Sequence, residues 1–182
     1  PAGSTRRRST QTALHRMVTG LCQMLAPMLA FTADEAWEFV VGRGVESVHE
    51  SVWKPLGFVV PDAEREAWGK LLEVREQCLP AIEAARQAKT LGKALEARLQ
   101  VTLPAATADR LRPFARELQE LLNVSQLDIH SADQALDAPL KCEVFRAEGS
   151  KCERCWHWET GVGARAEHPD LCPRCVEAVT PA

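Results

Sequence analysis

The chain has 182 residues, 46% of them hydrophobic, with 22 basic against 25 acidic side chains and a formal charge of -3. This is enough for one sizeable core or two small ones, and the mild acidity excludes a globally cationic nucleic-acid binder, so any such contact must rest on local basic stripes. The longest apolar stretch, LCQMLAPMLAF, carries a proline and is far short of the about 18–20 residues of a membrane span, so the expectation is a soluble, cytoplasmic protein. A helical pattern that follows almost at once on Pro1 gives the further expectation of a piece cut from a longer chain.

In chain order, Leu14, Met17, Val18, Leu21, Cys22 and Leu25 recur at helical spacing and predict a helix over about Thr10 to Ala26 with one buried stripe. Pro27 ends or bends it. FTADEAWEF then predicts a capping box, with Thr32 as N-cap, Glu35 reaching back, Phe31 as the preceding hydrophobic residue and a short helix from Ala33. GRGVESVHESVWKPLG reads as a connection anchored by Trp53. Asp62 is placed to cap a third, longer helix with apolar positions Trp68, Leu71, Leu72, Leu79 and Ile82, kinked at Pro80 and ended at Gly92. From Ala97 the period becomes two, with Leu99, Val101 and Leu103 on one face of a strand that Pro104 closes. Leu111, Phe114, Leu118, Leu121 and Leu122 mark a helix interrupted at Pro113, and VSQLDI and KCEVFRA are two further strands. The fold class expected is mainly α with an α+β part: a helical piece over 1–92, a small α+β piece over 93–148 and a zinc ribbon over 149–182.

The ribbon rests on KCERCWHWETGVGARAEHPDLCPRC, in which Cys152, Cys155, Cys172 and Cys175 form two Cys-x-x-Cys knuckles separated by sixteen residues. Each two-residue gap lets a tight turn aim both sulfurs at one point, so the four can meet at a single tetrahedral Zn²⁺. Two disulfides are the alternative for the same cysteines. His157 and His168 lie outside the knuckle positions and are not needed, and Cys22, Cys78 and Cys142 are read as small core thiols.

These stretches together resemble the C-terminal part of bacterial isoleucyl-tRNA synthetases. RRRSTQTAL with LAPMLAFTADEAWE is similar to the last helices of that family's anticodon-binding bundle, and ESVH with Trp53 to the segment that follows. ARQAKTLGKALEARLQVTL resembles the family's junction between long helix and small sheet, and AEGSKCERCWHW with LCPRC its zinc module. The resemblance implies a ligase that joins isoleucine to its tRNA through an adenylate, with one zinc per chain, working as a cytoplasmic monomer with the anticodon stem-loop of isoleucine tRNA as partner. It also implies that ATP and Mg²⁺ belong to a catalytic domain absent from these residues, since neither HIGH nor KMSKS occurs in them.

The candidate RNA contacts can also be read from the residues. Arg154 sits inside the first knuckle and Trp156 directly behind it, so metal binding would aim the guanidinium outward beside an aromatic surface suited to unpaired bases. Trp156 and Trp158 are equally suited to be the ribbon's small core, and the expected division gives Trp156 to RNA and Trp158 to the core. Arg86, Lys89 and Lys93 fall three and four apart at the end of the long helix, where they can follow a phosphate backbone or complement the helix dipole. Arg7, with Arg6 and Arg8, opens the first helix where cations are unfavourable, which suggests phosphate contact; Arg165 and Arg174 are weaker candidates. Two other functions fit the finger alone: the DNA-binding end of a DNA glycosylase, and a ribbon used only for protein contacts.

Overall fold

In the computed structural model, which describes residues 3–54, 57, 59–133 and 138–180, helix α1 spans Thr5–Leu25. It starts a turn earlier than its apolar pattern because Ser4 has extended backbone and its Oγ accepts the Arg7 N–H at 3.3 Å. Arg6, Arg7 and Arg8 therefore lie in an ordered first turn. The expected buried stripe is corrected in part: Cys22 is buried and Leu25 half-buried as read, but Leu14, Met17, Val18 and Leu21 are each 45–54% exposed, and Gly20 and Ala26 are the other buried positions. The packed face is the one with the smallest side chains, and polar bonds hold it. His15 Nε2 meets the Val41 carbonyl at 2.8 Å, and Gln23 Nε2 donates to Ser51 Oγ at 3.0 Å and to the Val52 carbonyl at 3.3 Å.

Helix α2 spans Ala30–Glu38 and has no side-chain cap, so the capping box at Thr32 is also corrected. The chain turns at Pro27 directly into α2, where the Leu29 carbonyl accepts the Ala33 N–H at 2.8 Å and Thr32 is already helical. Phe31 points to solvent. Asp34, not Glu35, is the acid that organises this region, accepting from Ser47 Oγ at 2.7 Å and Val48 N–H at 2.9 Å. Trp37 and Val48 are buried, and Trp37 Nε1 donates to the Val45 carbonyl; Trp53, the expected anchor, is half exposed. Cys22, Ala26, Ala33, Trp37, Val40 and Val48 make the small core of this unit.

Helix α3 spans Asp62–Gln87, with Pro61 rather than Asp62 at the N-cap, and carries through Pro80. Its buried row is Leu71, Val74, Cys78 and Ile82, at spacings of three and four; Trp68, Leu72 and Leu79 flank it and stay partly exposed. The helix stops at Ala88, before Gly92. Lys89 takes left-handed backbone (φ 58°), and Thr90 satisfies the Ala85 carbonyl with both its N–H (3.1 Å) and its hydroxyl (2.8 Å), while buried Leu91 anchors the exit.

Strand β1 (Ala97–Pro104) alternates as its sequence does, with Ala97, Leu99, Val101 and Leu103 buried. Helices α4 (Ala105–Leu111) and α5 (Ala115–Leu122), joined by a 3-10 turn at Arg112–Phe114, form the crossover to β2 (Gln126–Ala132), which pairs parallel with β1. Strand β3 (Lys141–Arg146) pairs antiparallel on the other side, giving the order β2-β1-β3. The buried row of α3 packs with Leu111, Leu118 and Leu122 against the inner face of β1 in one core.

Two compact units meet at Val59–Val60. Within the second unit α3 supplies core to the sheet, and the cysteine-rich segment belongs to the same unit. No described helix is long and apolar enough to cross a membrane.

Candidate metal centre and recognition platform

Strands β4 (Ser150–Lys151) and β5 (Trp158–Glu159) form an antiparallel hairpin whose turn is the first knuckle. Gly149, with φ of 90°, leads into it, and a Cβ there would lie 2.3 Å from the Glu159 carbonyl oxygen, so only glycine fits. Within the turn, the Cys152 N–H bonds the His157 carbonyl at 2.9 Å and the Trp156 N–H bonds the Cys152 carbonyl at 2.8 Å. The second knuckle opens helix α6 (Pro173–Val179), with Cys172 at its N-cap and Pro173 in its first turn. Backbone N–H groups tie the knuckles together: Glu153 N–H donates to the Asp170 carbonyl at 3.0 Å, and Cys172 N–H to Cys152 Sγ at 3.4 Å.

The four sulfurs of Cys152, Cys155, Cys172 and Cys175 lie within 4.8 Å of one another, three of the residues buried and Cys155 half-buried. Cys155 Sγ and Cys172 Sγ are 3.8 Å apart. A tetrahedron with Zn–S bonds of about 2.3 Å spaces its sulfurs by about 3.8 Å, whereas a disulfide needs about 2.05 Å. The four cysteines are free thiols, so the disulfide alternative does not describe this site. Burial works to raise the Cys152 thiol, but N–H groups of Cys155, Cys172 and Arg154 directed at its sulfur outweigh it and bring the value down to about 6. Burial pushes Cys172 up to about 12 and raises Cys175 as well. A complete set of thiolates here therefore needs a cation among them, and the donor set fits Zn²⁺. Neither His157 nor His168 belongs to the cluster.

The two arginines between the ligand pairs do something the spacing did not disclose. Arg154 Nη1 donates to Cys175 Sγ at 3.6 Å, and Arg174 hydrogen-bonds Cys155, which raises its already high pKa. The guanidinium of Arg154 thus turns in toward the centre, which corrects the outward aim expected of it. Four thiolates around a dication carry excess negative charge, and these guanidinium groups compensate it.

Trp156 is 58% exposed on left-handed backbone (φ 66°), with Lys151 Nζ 5.9 Å from its ring centroid. Lys151 was not singled out in the sequence; the hairpin register, which pairs it with Trp158, is what brings it near. Trp158 is half-buried, and its N–H donates to Ser125 Oγ at 2.7 Å. Ser125 is buried; its hydroxyl donates in turn to the Leu95 carbonyl at 2.5 Å, its N–H to Ala97, and its own carbonyl accepts from Gln119. One serine oxygen between α5 and β2 thereby fastens the knuckle hairpin to the sheet.

The remaining candidates are not brought together. Arg86 lies in the last turn of α3, paired with Glu83 at 2.9 Å. Lys89 is beyond the helix, and Lys93 is extended before the one-turn segment Ala94–Glu96, so the expected shared helical face does not exist. Arg7 is exposed in the first turn of α1.

A closed four-sulfur centre with no coordination position left for a substrate, carrying an exposed aromatic side chain, defines a structural zinc finger rather than a catalytic metal site. Residues 149–178 match the zinc finger found in FPG and IleRS. The chain belongs to the family of anticodon-binding domains of tRNA ligases, whose model matches residues 1–103. It is 41% identical to an isoleucine–tRNA ligase of Syntrophotalea carbinolica and 38% identical to one of Desulforamulus reducens, in each case over 97% of this chain and 20% of the relative. An isoleucine–tRNA ligase of Pectobacterium atrosepticum is 36% identical over the same shares. The chain thus spans about a fifth of the length of these relatives. A glycosylase finger would account for the last thirty or so residues but not for the match over 1–103, and that alternative is not favoured.

Proposed function

We propose that this chain is the tRNA-binding, anticodon-recognising C-terminal region of an isoleucine–tRNA ligase, a monomeric cytoplasmic enzyme that attaches isoleucine to its tRNA using ATP and Mg²⁺. The observation that carries the reading is Trp156: a large aromatic ring held clear of its own module by a left-handed residue, beside Lys151 and directly behind a metal knuckle. Single-stranded RNA is read on splayed bases that stack on such rings, and a platform held by metal–sulfur bonds is not ordered again on binding. Arg154 contributes the guanidinium N–H groups not committed to Cys175, and Arg7, Arg86, Lys89 and Lys93 act as separate phosphate contacts. One Zn²⁺ per chain sits on Cys152, Cys155, Cys172 and Cys175 and supplies folding energy and rigidity.

Stacking one base on Trp156 is worth about 1–3 kcal/mol, or roughly five- to 150-fold in affinity. Trp156→Ala is expected to weaken binding to isoleucine tRNA at least about fivefold with zinc content unchanged, while Trp158→Ala chiefly lowers the module's stability. Affinity and zinc are measured on the same preparations. Normal binding by Trp156→Ala, or joint loss of zinc and affinity, would remove the stacking role.

A further inference from the structure

The core of the second unit holds two thiols that neither the metal centre nor the recognition platform uses. Cys142 stands directly opposite Val101 in the β1–β3 register, so the two side chains share a face of the sheet, and Val101 is fully buried on the inner one. Cys142 therefore points from edge strand β3 into the core that the buried row of α3 completes, and Cys78, which has no exposed surface, belongs to that row. There the two thiols hydrogen-bond each other. As core fillers each could be an alanine or a valine; as a facing pair they carry chemistry that neither has alone.

The pair is unequal. Its contact with Cys78 holds the Cys142 thiol below its ordinary value, against burial and the neighbouring Glu143 carboxylate, while the same contact and burial push Cys78 up. Cys142 is also the accessible member, half-buried where Cys78 is fully enclosed. An oxidant thus meets a thiolate at Cys142 with a protonated thiol behind it. Bonding needs the sulfurs to close from contact to covalent distance, and both sides can give. Among the described strands β3 is paired only with β1, and Pro80, two residues beyond Cys78, offers no N–H to the Glu76 carbonyl, so the turn of α3 that carries Cys78 lacks that rung.

We propose that Cys142 and Cys78 form a reversible oxidation site, with Cys142 as the thiol that reacts with a hydroperoxide and Cys78 as the thiol that resolves it. The Cys142 thiolate attacks one peroxide oxygen, the O–O bond breaks to leave a sulfenic acid, and the departing oxide takes up a proton. The Cys78 sulfur then attacks the sulfenic sulfur; an S–S bond forms, the S–O bond breaks, and the hydroxyl leaves as water with the Cys78 proton. With hydrogen peroxide, two thiols and one peroxide give one disulfide and two waters, and a small thiol reverses the bond by exchange. The disulfide closes a long loop between α3 and β3 and so stabilises the second unit. The site is independent of the zinc module and of the RNA-binding reading.

The test treats the zinc-loaded chain with hydrogen peroxide, blocks the remaining thiols by alkylation and digests with trypsin, which releases Cys78 in peptide 76–86 and Cys142 in peptide 142–146. The expected product in the mass spectrum is these two peptides joined, lighter by two hydrogens than the separate thiols, with Cys22 still alkylated and zinc still bound. Dithiothreitol is expected to separate them, and the oxidised protein to melt at least about 5 °C above the reduced one. In Cys78→Ala, dimedone is expected to trap the sulfenic acid at Cys142 that the wild type resolves, and in Cys142→Ala the Cys78 thiol is expected to stay reduced. Recovery of both wild-type peptides as separate alkylated thiols overturns the site, whatever the other cysteines do. So does Cys142 joined to any other cysteine, or a Cys78 that oxidises equally well without Cys142. The wild-type measurement needs no substitution, so a variant that fails to fold leaves the proposal open to refutation.

Discussion

Replacing Ser125 with alanine removes a single oxygen and is expected to loosen the whole knuckle hairpin. That oxygen accepts the Trp158 N–H at 2.7 Å and donates to the Leu95 carbonyl at 2.5 Å, in a residue that is 2% exposed. A buried N–H left without an acceptor costs about 1–3 kcal/mol, and the lost O–H···O bond about 1 kcal/mol more. The total of about 2–4 kcal/mol corresponds to a shift of roughly 30- to 900-fold in the equilibrium between the fastened and released hairpin. Amide hydrogen exchange reads this directly: Trp158 is expected to lose protection by that factor, while Leu99 and Val101 in β1 keep theirs. Ser125→Thr retains the oxygen and is expected to restore protection at Trp158. Unchanged Trp158 exchange in a folded Ser125→Ala protein would refute the idea that this serine fastens the finger.

Three further outcomes are expected. Gly149→Ala places a Cβ 2.3 Å from the Glu159 carbonyl oxygen on a backbone of φ 90°, so the β4–β5 hairpin has to open, at a cost of about 3 kcal/mol or more seen in thermal melts of the zinc-loaded protein. The Ser47 hydroxyl first, and then the Val48 N–H, hold the Asp34 carboxyl below its ordinary value, so its stabilising effect on the first unit is present above the unfolded-state pKa and is lost as pH falls through the lower folded-state value. Asp34→Asn should flatten that acid limb in a pH series of melts, and an unaltered limb would show that Asp34 does not cause it. Cys172→Ser removes one of four sulfurs and is expected to reduce zinc to well below one per chain by elemental analysis and to abolish protection in residues 150–159, because apparent zinc energies of about 10–16 kcal/mol in such modules are folding energies.

What the sequence made legible depended on whether the determinant was local. Alternation from Ala97 to Leu103 and the two knuckles are short-range patterns, and both are found as read. The pattern of α1 was also read correctly as amphipathic, but apolar spacing says which side is apolar and not which side has a partner. The packed side is the one where Gly20, Cys22 and Ala26 permit close approach. Thr32 had the residue type of a cap but not its backbone, because the turn at Pro27 had already delivered the chain into α2. Lys89 ended α3 without a glycine since Thr90 and Leu91 supply the bonds and burial that hold a left-handed residue. Ser125 and Trp158 are 33 residues apart, and no spacing rule connects them. Arg154 and Arg174 were visible as charges, but their direction follows from the sulfurs they neutralise, which is a property of the assembled centre.

The position of Trp156 is best understood through its backbone. A left-handed conformation costs an L-residue other than glycine about 1–2 kcal/mol, and such strain persists only where the surroundings over-determine it. Here the Trp156 N–H is tied to the Cys152 carbonyl, and ligands stand at Cys152 and Cys155 immediately before it, so the turn has no freedom to relax. Trp158, two residues on, is itself half-buried in the hairpin, with its backbone N–H on Ser125 Oγ. The strained angle instead sends the larger part of the indole into solvent under the Lys151 ammonium. A module this small gains stability from every aromatic ring it buries, and a glycine at this position would relieve the strain without cost to the metal centre. Keeping a tryptophan here and exposing it therefore works against the stability of the finger on both counts, which is intelligible when the ring's partner lies outside the chain.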